Sequence, residues 1–437
     1  MLAGRGETRT ERFSGPAYLA ARDRATMTAM IRVLVSALMA ALMAADAAGA
    51  KTKLVTLPRE TIATLTPFLA RGELALIESK VDGSLRQITV MTLVDAPPEV
   101  AYGVVAAPER YPEFVGSMAK SEVTRRQGRV AIVDWELEVP LNNLEGTNLF
   151  RFGENVIEIE TISGDIPEGI WRWEIHPAPG GKSIVVEYAY SDIRRASWFM
   201  RQLIQRHRAA EHATVLSAST VFMKALKLRA EKLAGRGQGK RPDTRGRRVA
   251  ELRSLTQGGS RLDVRALDPL LRRGYVSLVE SFPDGRLRQA SIVTYAYTSL
   301  SRAFGVAADP GRYQQFMSSV NRSQVLKKEG ASIVYELEVE VPLFNLTFTS
   351  RAEKTAPWSI RTRSIGGDLE DARFGWDMEA VAPDRTRVMH YLNTDARNAS
   401  WLLRRMIDRE PYFEHGFNAA CGLVMVRSVR GHAEGWN

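Results

Sequence analysis

Two histidines fall at matching places late in each half of the chain, and each follows a glutamate: Glu211-His212 and Glu414-His415. A histidine that faces a cavity can act as a general base or hydrogen-bond a ligand head group. On the outer surface of a helix, the same pair is a by-product of duplication. A second acidic feature is the row Asp134, Glu136, Glu138, which recurs as Glu336, Glu338, Glu340. Paired carboxylates can do acid–base work. Strict alternation with Val133, Trp135, Leu137 and Val139, however, is the pattern of a strand with a wet acidic face. For a metal the sequence offers no ligand set. His176, His207, His212, His390, His415 and His432 show no H-E-x-x-H or other ligand spacing, and Cys421 is the sole cysteine. That lone thiol also excludes an intrachain disulfide. No phosphate-cradling glycine loop and no G-x-S-x-G elbow occur, so no cofactor is expected.

Small and aromatic residues supply the remaining candidates. Ala213, Thr214, Ser217, Ala218 and Ser219 cluster in one late helical stretch, and Gly416, Asn418, Ala419, Ala420 and Cys421 in another. Small side chains there either leave room for a ligand or allow close helix packing. The aromatic pairs are Tyr111/Tyr313, Phe114/Phe316, Trp173/Trp376 and Tyr188/Tyr391, which serve as core or as ligand contacts. The candidate ligand contacts are therefore Tyr111, Phe114, Trp173, Tyr188, Thr214 and Ser217 in one half. In the other they are Tyr313, Phe316, Trp376, Tyr391 and Asn418.

These pairs exist because the chain is a repeat. "LTPFLARG" (Leu65–Gly72) matches "LDPLLRRG" (Leu267–Gly274), and "IESKVDGSLRQ" (Ile77–Gln87) matches "VESFPDGRLRQ" (Val279–Gln289), both at an offset of 202. After a one-residue insertion, Trp173 matches Trp376 and Glu211-His212 matches Glu414-His415 at an offset of 203. Four segments follow: a leader, 1–50; a first domain, 51–230; a basic, Gly-rich linker, 231–260, expected to be mobile; and a second domain, 261–437.

Each copy reads as a fixed order of elements. A short helix near Arg59–Ala70 precedes two strands joined at Asp82-Gly83, a tight-turn signal. Pro97-Pro98 opens a helix, and "APERYPEF" (Ala107–Phe114) gives another. A meander of alternating strands follows. One long helix, about Arg195 to Leu233, closes the copy; in the second copy Pro411 should kink it. A curved antiparallel sheet with an amphipathic helix across its concave side leaves space where a ligand can sit.

The leader holds Arg32, an apolar run from Val33 to about Ala45, and Ala48-Gly49-Ala50. That is the pattern of a secretory signal peptide over Met30–Ala50, so a periplasmic or secreted location is expected. The 437 residues carry a net charge of +10, which favours anionic partners such as a membrane surface. Nucleic acid is not expected, because no binding module is present. The oligomeric state is left open.

The stretch "VDAPPEVAYGVVAAPERYPEFVGSMAKSEV" (Val94–Val123) resembles the START/Bet v 1-like (SRPBCC) helix-grip superfamily, above all its polyketide cyclase/dehydrase and coenzyme Q-binding-like branch. The resemblance covers about Glu73–Arg229 and, more weakly, Tyr275–Arg430. In the second copy "DPGRYQQF" departs from the pattern, with Gln314 in place of the proline. The resemblance implies an α+β fold of two tandem helix-grip domains, each a curved sheet gripping a long C-terminal helix. It also implies apolar cargo in the sheet–helix cavity: lipids, isoprenoids or polyketides. The function expected is an exported binding or transport protein for a lipid or other hydrophobic small molecule. Two alternatives stand beside it. One is a cyclase/aromatase-like enzyme, with His212 and His415 as candidate catalytic residues. The other is a chain in which one copy has become a structural or partner-binding module.

Overall fold

The computed structural model describes residues 53–138, 143–196, 198–207, 209–236, 242–244, 249–256, 262–341 and 344–436. The chain divides into two compact units, Met1–Lys53 and Leu54–Asn437. The leader, with the expected signal peptide at Met30–Ala50, lies outside the described residues.

In the second unit each copy contributes eight strands. The first copy has β1 (Gly72–Ser79), β2 (Leu85–Val94), β3 (Met118–Gln127), β4 (Val130–Leu137), β5 (Leu144–Phe152), β6 (Val156–Gly164), β7 (Ile170–Ala178) and β8 (Lys182–Tyr190). The second has β9 (Gly274–Ser281), β10 (Leu287–Ala296), β11 (Val320–Glu329), β12 (Ser332–Val341), β13 (Phe344–Ala356), β14 (Ser359–Gly367), β15 (Arg373–Ala382) and β16 (Arg385–Asn393). All sixteen form one antiparallel sheet, ordered β11-β12-β13-β14-β15-β16-β10-β9-β1-β2-β8-β7-β6-β5-β4-β3. Helix α1 (Pro98–Val105) and its counterpart α4 (Leu300–Ala307) follow β2 and β10. The fold is α+β, two helix-grip halves fused along β1 and β9.

That seam is symmetric. Gly72 pairs with Glu280, Ala75 with Ser277, and Glu78 with Gly274. Gly72 and Gly274 are equivalent residues, as are Glu78 and Glu280, so a local two-fold axis passes between Ala75 and Ser277. Two buried glutamates are held across the seam by equivalent arginines, Arg71 to Glu280 at 2.8 Å and Arg273 to Glu78 at 3.0 Å. Only glycine suits the strand ends. A Cβ on Gly72 would collide with the carbonyl of Val279, and one on Gly274 with that of Ile77.

The central strands are buried on both faces, which is why they read as near-continuous apolar runs. One face packs on the long helices. The other is covered by the segments that precede β1 and β9, through Leu57, Phe68, Leu255 and Leu270 among others. The two coverings are equivalent: the backbone N–H of Leu57 donates to the Tyr188 hydroxyl, and that of Leu255 to the Tyr391 hydroxyl. The segment read as a mobile linker therefore holds two kinds of residue. Glu231–Leu233 finish a helix, and Arg253 and Leu255 are pinned to the sheet.

The single closing helix expected over Arg195–Leu233 is instead two: α2 (Trp198–Arg206) and α3 (Ala210–Leu233). The second copy repeats this with α5 (Trp401–Arg409) and α6 (Phe413–Glu434), broken at Pro411. Nothing in "HRA" (His207–Ala209) forces a break; tertiary contacts do. The end of α2 crosses to the second half, where Arg206 pairs with Glu340 at 3.2 Å and His207 Nδ1 meets Ser318 Oγ at 3.2 Å. The end of α5 crosses to the first, where Arg409 pairs with Glu138 and Glu410 accepts from the Gly116 N–H at 2.8 Å. Each half thus lends a short helix to the other.

Candidate functional site

The apolar concave faces of both half-sheets look onto α3 and α6. Where aromatic and branched side chains fail to meet the helices, a cavity of about 790 Å³ remains. Both halves line it. Tyr111, Trp135, Phe150, Trp173 and Phe222 form much of one wall, and Tyr313, Tyr335, Phe348, Trp376 and Met425 much of the other. The size suits a hydrophobic small molecule. Val133, Trp135 and Leu137 face the cavity, so Asp134 and Glu136 project from the opposite side of β4. There they accept from Thr147 Oγ1 and Asn143 Nδ2.

Several titratable residues line the cavity, Glu138, Glu340 and Arg409 among them, and two on the central strands hold equivalent positions. Glu187 on β8 lies opposite Trp173 on β7, and His390 on β16 lies opposite Trp376 on β15. Glu187 is 4% exposed, and its Oε2 has no hydrogen-bond partner. Burial pushes its pKa up to about 8, against the pull of a hydrogen bond from Ser219. At neutral pH it is a carboxylic acid. His390 is wholly buried and packs on Trp376, with ring centroids 4.1 Å apart. Its Nδ1 lies 2.9 Å from the Gly375 carbonyl and must donate to it, which leaves Nε2 as an acceptor with no partner. Burial holds its pKa down to about 3, so the ring is neutral. One half therefore carries a neutral acid and the other a neutral base.

A family model for polyketide cyclase / dehydrase and lipid transport matches residues 94–208 and 298–409, more than half of the chain. The chain belongs to the polyketide cyclase/dehydrase and lipid transport family. Both matches run from the joint before α1 or α4 to the short crossing helices, so they take in the concave sheet of each half. No curated protein matches the sequence. Among solved structures the chain is similar to the di-domain ARO/CYC proteins BexL and StfQ. They are 11% and 12% identical, the matches cover 80% and 79% of this chain and 98% of each of those chains, and the TM-scores are 0.28 and 0.29. It is also similar to a STAR-related lipid transfer protein from Xanthomonas axonopodis. That match is 15% identical, covers 36% of this chain and 93% of the other, and has a TM-score of 0.28.

Within this polyketide cyclase/dehydrase-family fold, Tyr111, Trp173, Thr214, Ser217, Tyr313 and Trp376 line the cavity. The two tyrosines present only their rings, because each hydroxyl donates to the end of a helix: Tyr111 to Val105 O at 2.7 Å, Tyr313 to Ala307 O at 2.6 Å. Phe114, Phe316, Tyr188, Tyr391 and Asn418 do not line it. Phe114 packs edge-on against Tyr111, and Phe316 stacks on His432. Tyr188 and Tyr391 point through the sheet to its other face, one residue out of phase with Glu187 and His390. Asn418 ties α6 to the end of β16, accepting from the Thr394 N–H at 2.9 Å.

The expectation of cavity-facing histidines at 212 and 415 is not met. Both are buried at the seam. His212 Nε2 meets Ser79 Oγ at 2.9 Å and Arg427 of the second half at 3.1 Å. His415 Nε2 meets Ser281 Oγ at 3.1 Å, and Lys224 of the first half donates to that same hydroxyl at 2.8 Å. The helix turns these residues toward β1 and β9, where they fasten one half to the other. Burial and a facing cation hold both histidines neutral, His212 down to about 3 and His415 well below its ordinary value. Burial likewise pushes the Cys421 thiol up to about 12, so it is no nucleophile at neutral pH.

Glu187 and His390 were overlooked in the sequence. The signal was present: each is a polar residue in the middle of a strand whose neighbours on both faces are buried. Among the described residues no group of His, Cys, Asp and Glu could hold a metal ion, and no helix is long and apolar enough to cross a membrane.

Proposed function

We propose that the protein binds and carries a lipid or other hydrophobic small molecule in the cavity between the sheet and helices α3 and α6. The observation that carries this reading is the cavity itself: about 790 Å³, walled by aromatic and aliphatic side chains from both halves. A mostly apolar lining of that extent offers a hydrophobic cargo many dispersion contacts. The crossing helices α2 and α5, each fastened to the opposite half, would admit and retain the cargo in this reading. Export accompanies this reading and rests on the Met30–Ala50 pattern. The net charge of +10 favours docking on an anionic membrane. Organic extraction of protein purified from its native host tests the binding role; an extract without apolar small molecules contradicts it.

A cyclase/dehydratase-like enzyme is the second reading, and the pair Glu187 and His390 favours it. A neutral acid and a neutral base lining a mostly apolar cavity are the equipment of proton transfer. β8 and β16 stand five strand spacings apart, roughly 24 Å along the sheet, so the two groups would act on separate parts of a substrate. Loss of turnover in both Glu187→Gln and His390→Phe, with binding retained, separates this reading from simple carriage.

A further inference from the structure

We propose that Glu187 anchors a carbonyl oxygen of the bound molecule, which makes the cargo an uncharged hydrophobic ketone, quinone or ester. The proposal rests on the reading of the cavity as a ligand site. A leucine would fill this part of the wall at lower cost, since a buried acid gains nothing from apolar neighbours. A buried polar residue that breaks the local rule in a mostly apolar wall marks a functional position. The equivalent place in the other half also holds a hydrogen-bonding side chain, His390.

The direction of the hydrogen bond follows from the contacts. Ser219 donates to the carboxyl group, and Oε2 is left without a partner. Ser219 therefore occupies Oε1. Among the described residues no basic side chain forms an ion pair with Glu187. The carboxyl keeps its proton, as its elevated pKa of about 8 agrees. With Oε1 accepting, the proton sits on Oε2, the oxygen without a partner, on a residue that lines the cavity. Its partner must be an oxygen that accepts without bringing charge. A cationic amphiphile would create an ion pair in an apolar wall with few further hydrogen bonds to support it, which is unfavourable.

The test uses the full chain and two probes of nearly identical shape, 9-fluorenone and fluorene, which differ by a carbonyl in place of a methylene. Equilibrium dialysis gives each dissociation constant. Fluorenone should bind about tenfold tighter than fluorene, the worth of one buried hydrogen bond. Glu187→Leu should erase that preference, and Glu187→Met serves if the leucine variant does not fold. Glu187→Gln, which keeps an N–H donor at the same place, should retain it. Equal binding of both probes to the unaltered protein overturns the anchor while leaving the cavity reading intact. So does a preference that survives in the leucine variant or vanishes in the glutamine one. Binding of neither probe to folded protein overturns both.

Discussion

Glu187 and His390 are the same residue of the repeat, 203 positions apart, and each faces a tryptophan across the sheet, Trp173 and Trp376. Duplication kept a titratable group at this point and reversed its chemistry. The two positions should therefore show opposite pH dependence. Glu187 has a folded pKa of about 8 against an ordinary 4.5. Its contribution to stability is fully present below pH 4.5 and is lost as the pH rises through 8. Glu187→Gln should gain on the unaltered protein across that window, by about 1.4 kcal/mol per pH unit at most. His390 has a folded pKa of about 3 against an ordinary 6.5. Its contribution is present above pH 6.5 and is lost as the pH falls toward 3, so His390→Phe should gain in the acid window. Urea unfolding at a series of pH values reads both, and parallel curves for variant and unaltered protein would contradict the assignment.

The seam depends on two glycines. Gly72→Val and Gly274→Val each drive a Cβ into a carbonyl of the opposite strand. Each should cost about 2–3 kcal/mol and weaken the coupling between halves. Scanning calorimetry should show one cooperative transition for the unaltered protein and two for the double variant. An unchanged single transition would mean that the halves are held together elsewhere.

The seam also depends on a buried cation, Lys224. Lys224 forms a buried ion pair with Glu73 as well as donating to Ser281. Arg427 donates to Ser79 and to the Gly83 carbonyl, 2.6 Å away, and meets His212 Nε2. Lys224→Met strands a buried carboxylate and should cost about 3–5 kcal/mol. Replacing both partners, Lys224→Met with Glu73→Leu, should recover most of that loss. Denaturant midpoints at pH 7 read both variants, and a single variant no less stable than the double one would contradict the pairing.

What was legible in the sequence followed from repetition and alternation. The offsets exposed the two halves. The row Val133, Trp135, Leu137 correctly identified the inner face of β4. The Asp82-Gly83 turn separated β1 from β2, with Gly83 at a positive φ of 80°. What was not legible depended on contacts between distant residues. No local signal tells that β1 will pair with β9, or that α2 will cross to Glu340. The helix pattern placed His212 and His415 correctly along the chain but could not say which neighbour they would face. For Tyr188 and Tyr391 the error was a single residue of strand parity. Their neighbours Glu187 and His390 face the cavity, while the two tyrosines hold the segments that cover the far side of the sheet.

The crossing helices should govern exchange more than stability. Arg206 is 72% exposed where it pairs with Glu340, and such pairs contribute about 1 kcal/mol or less. Arg206→Gln should leave the unfolding midpoint nearly unchanged and speed probe release by up to about fivefold. Stopped-flow dilution of fluorenone-loaded protein measures this. A large fall in stability with no change in release would show that α2 is a brace and not a gate.

The central claim is that one cavity built by both halves holds cargo. Native mass spectrometry of the protein purified from its host reads it directly. The account predicts a species heavier than the bare chain by the mass of an uncharged organic molecule, released on unfolding. A population with only the bare mass, from protein never exposed to detergent or solvent, would contradict it.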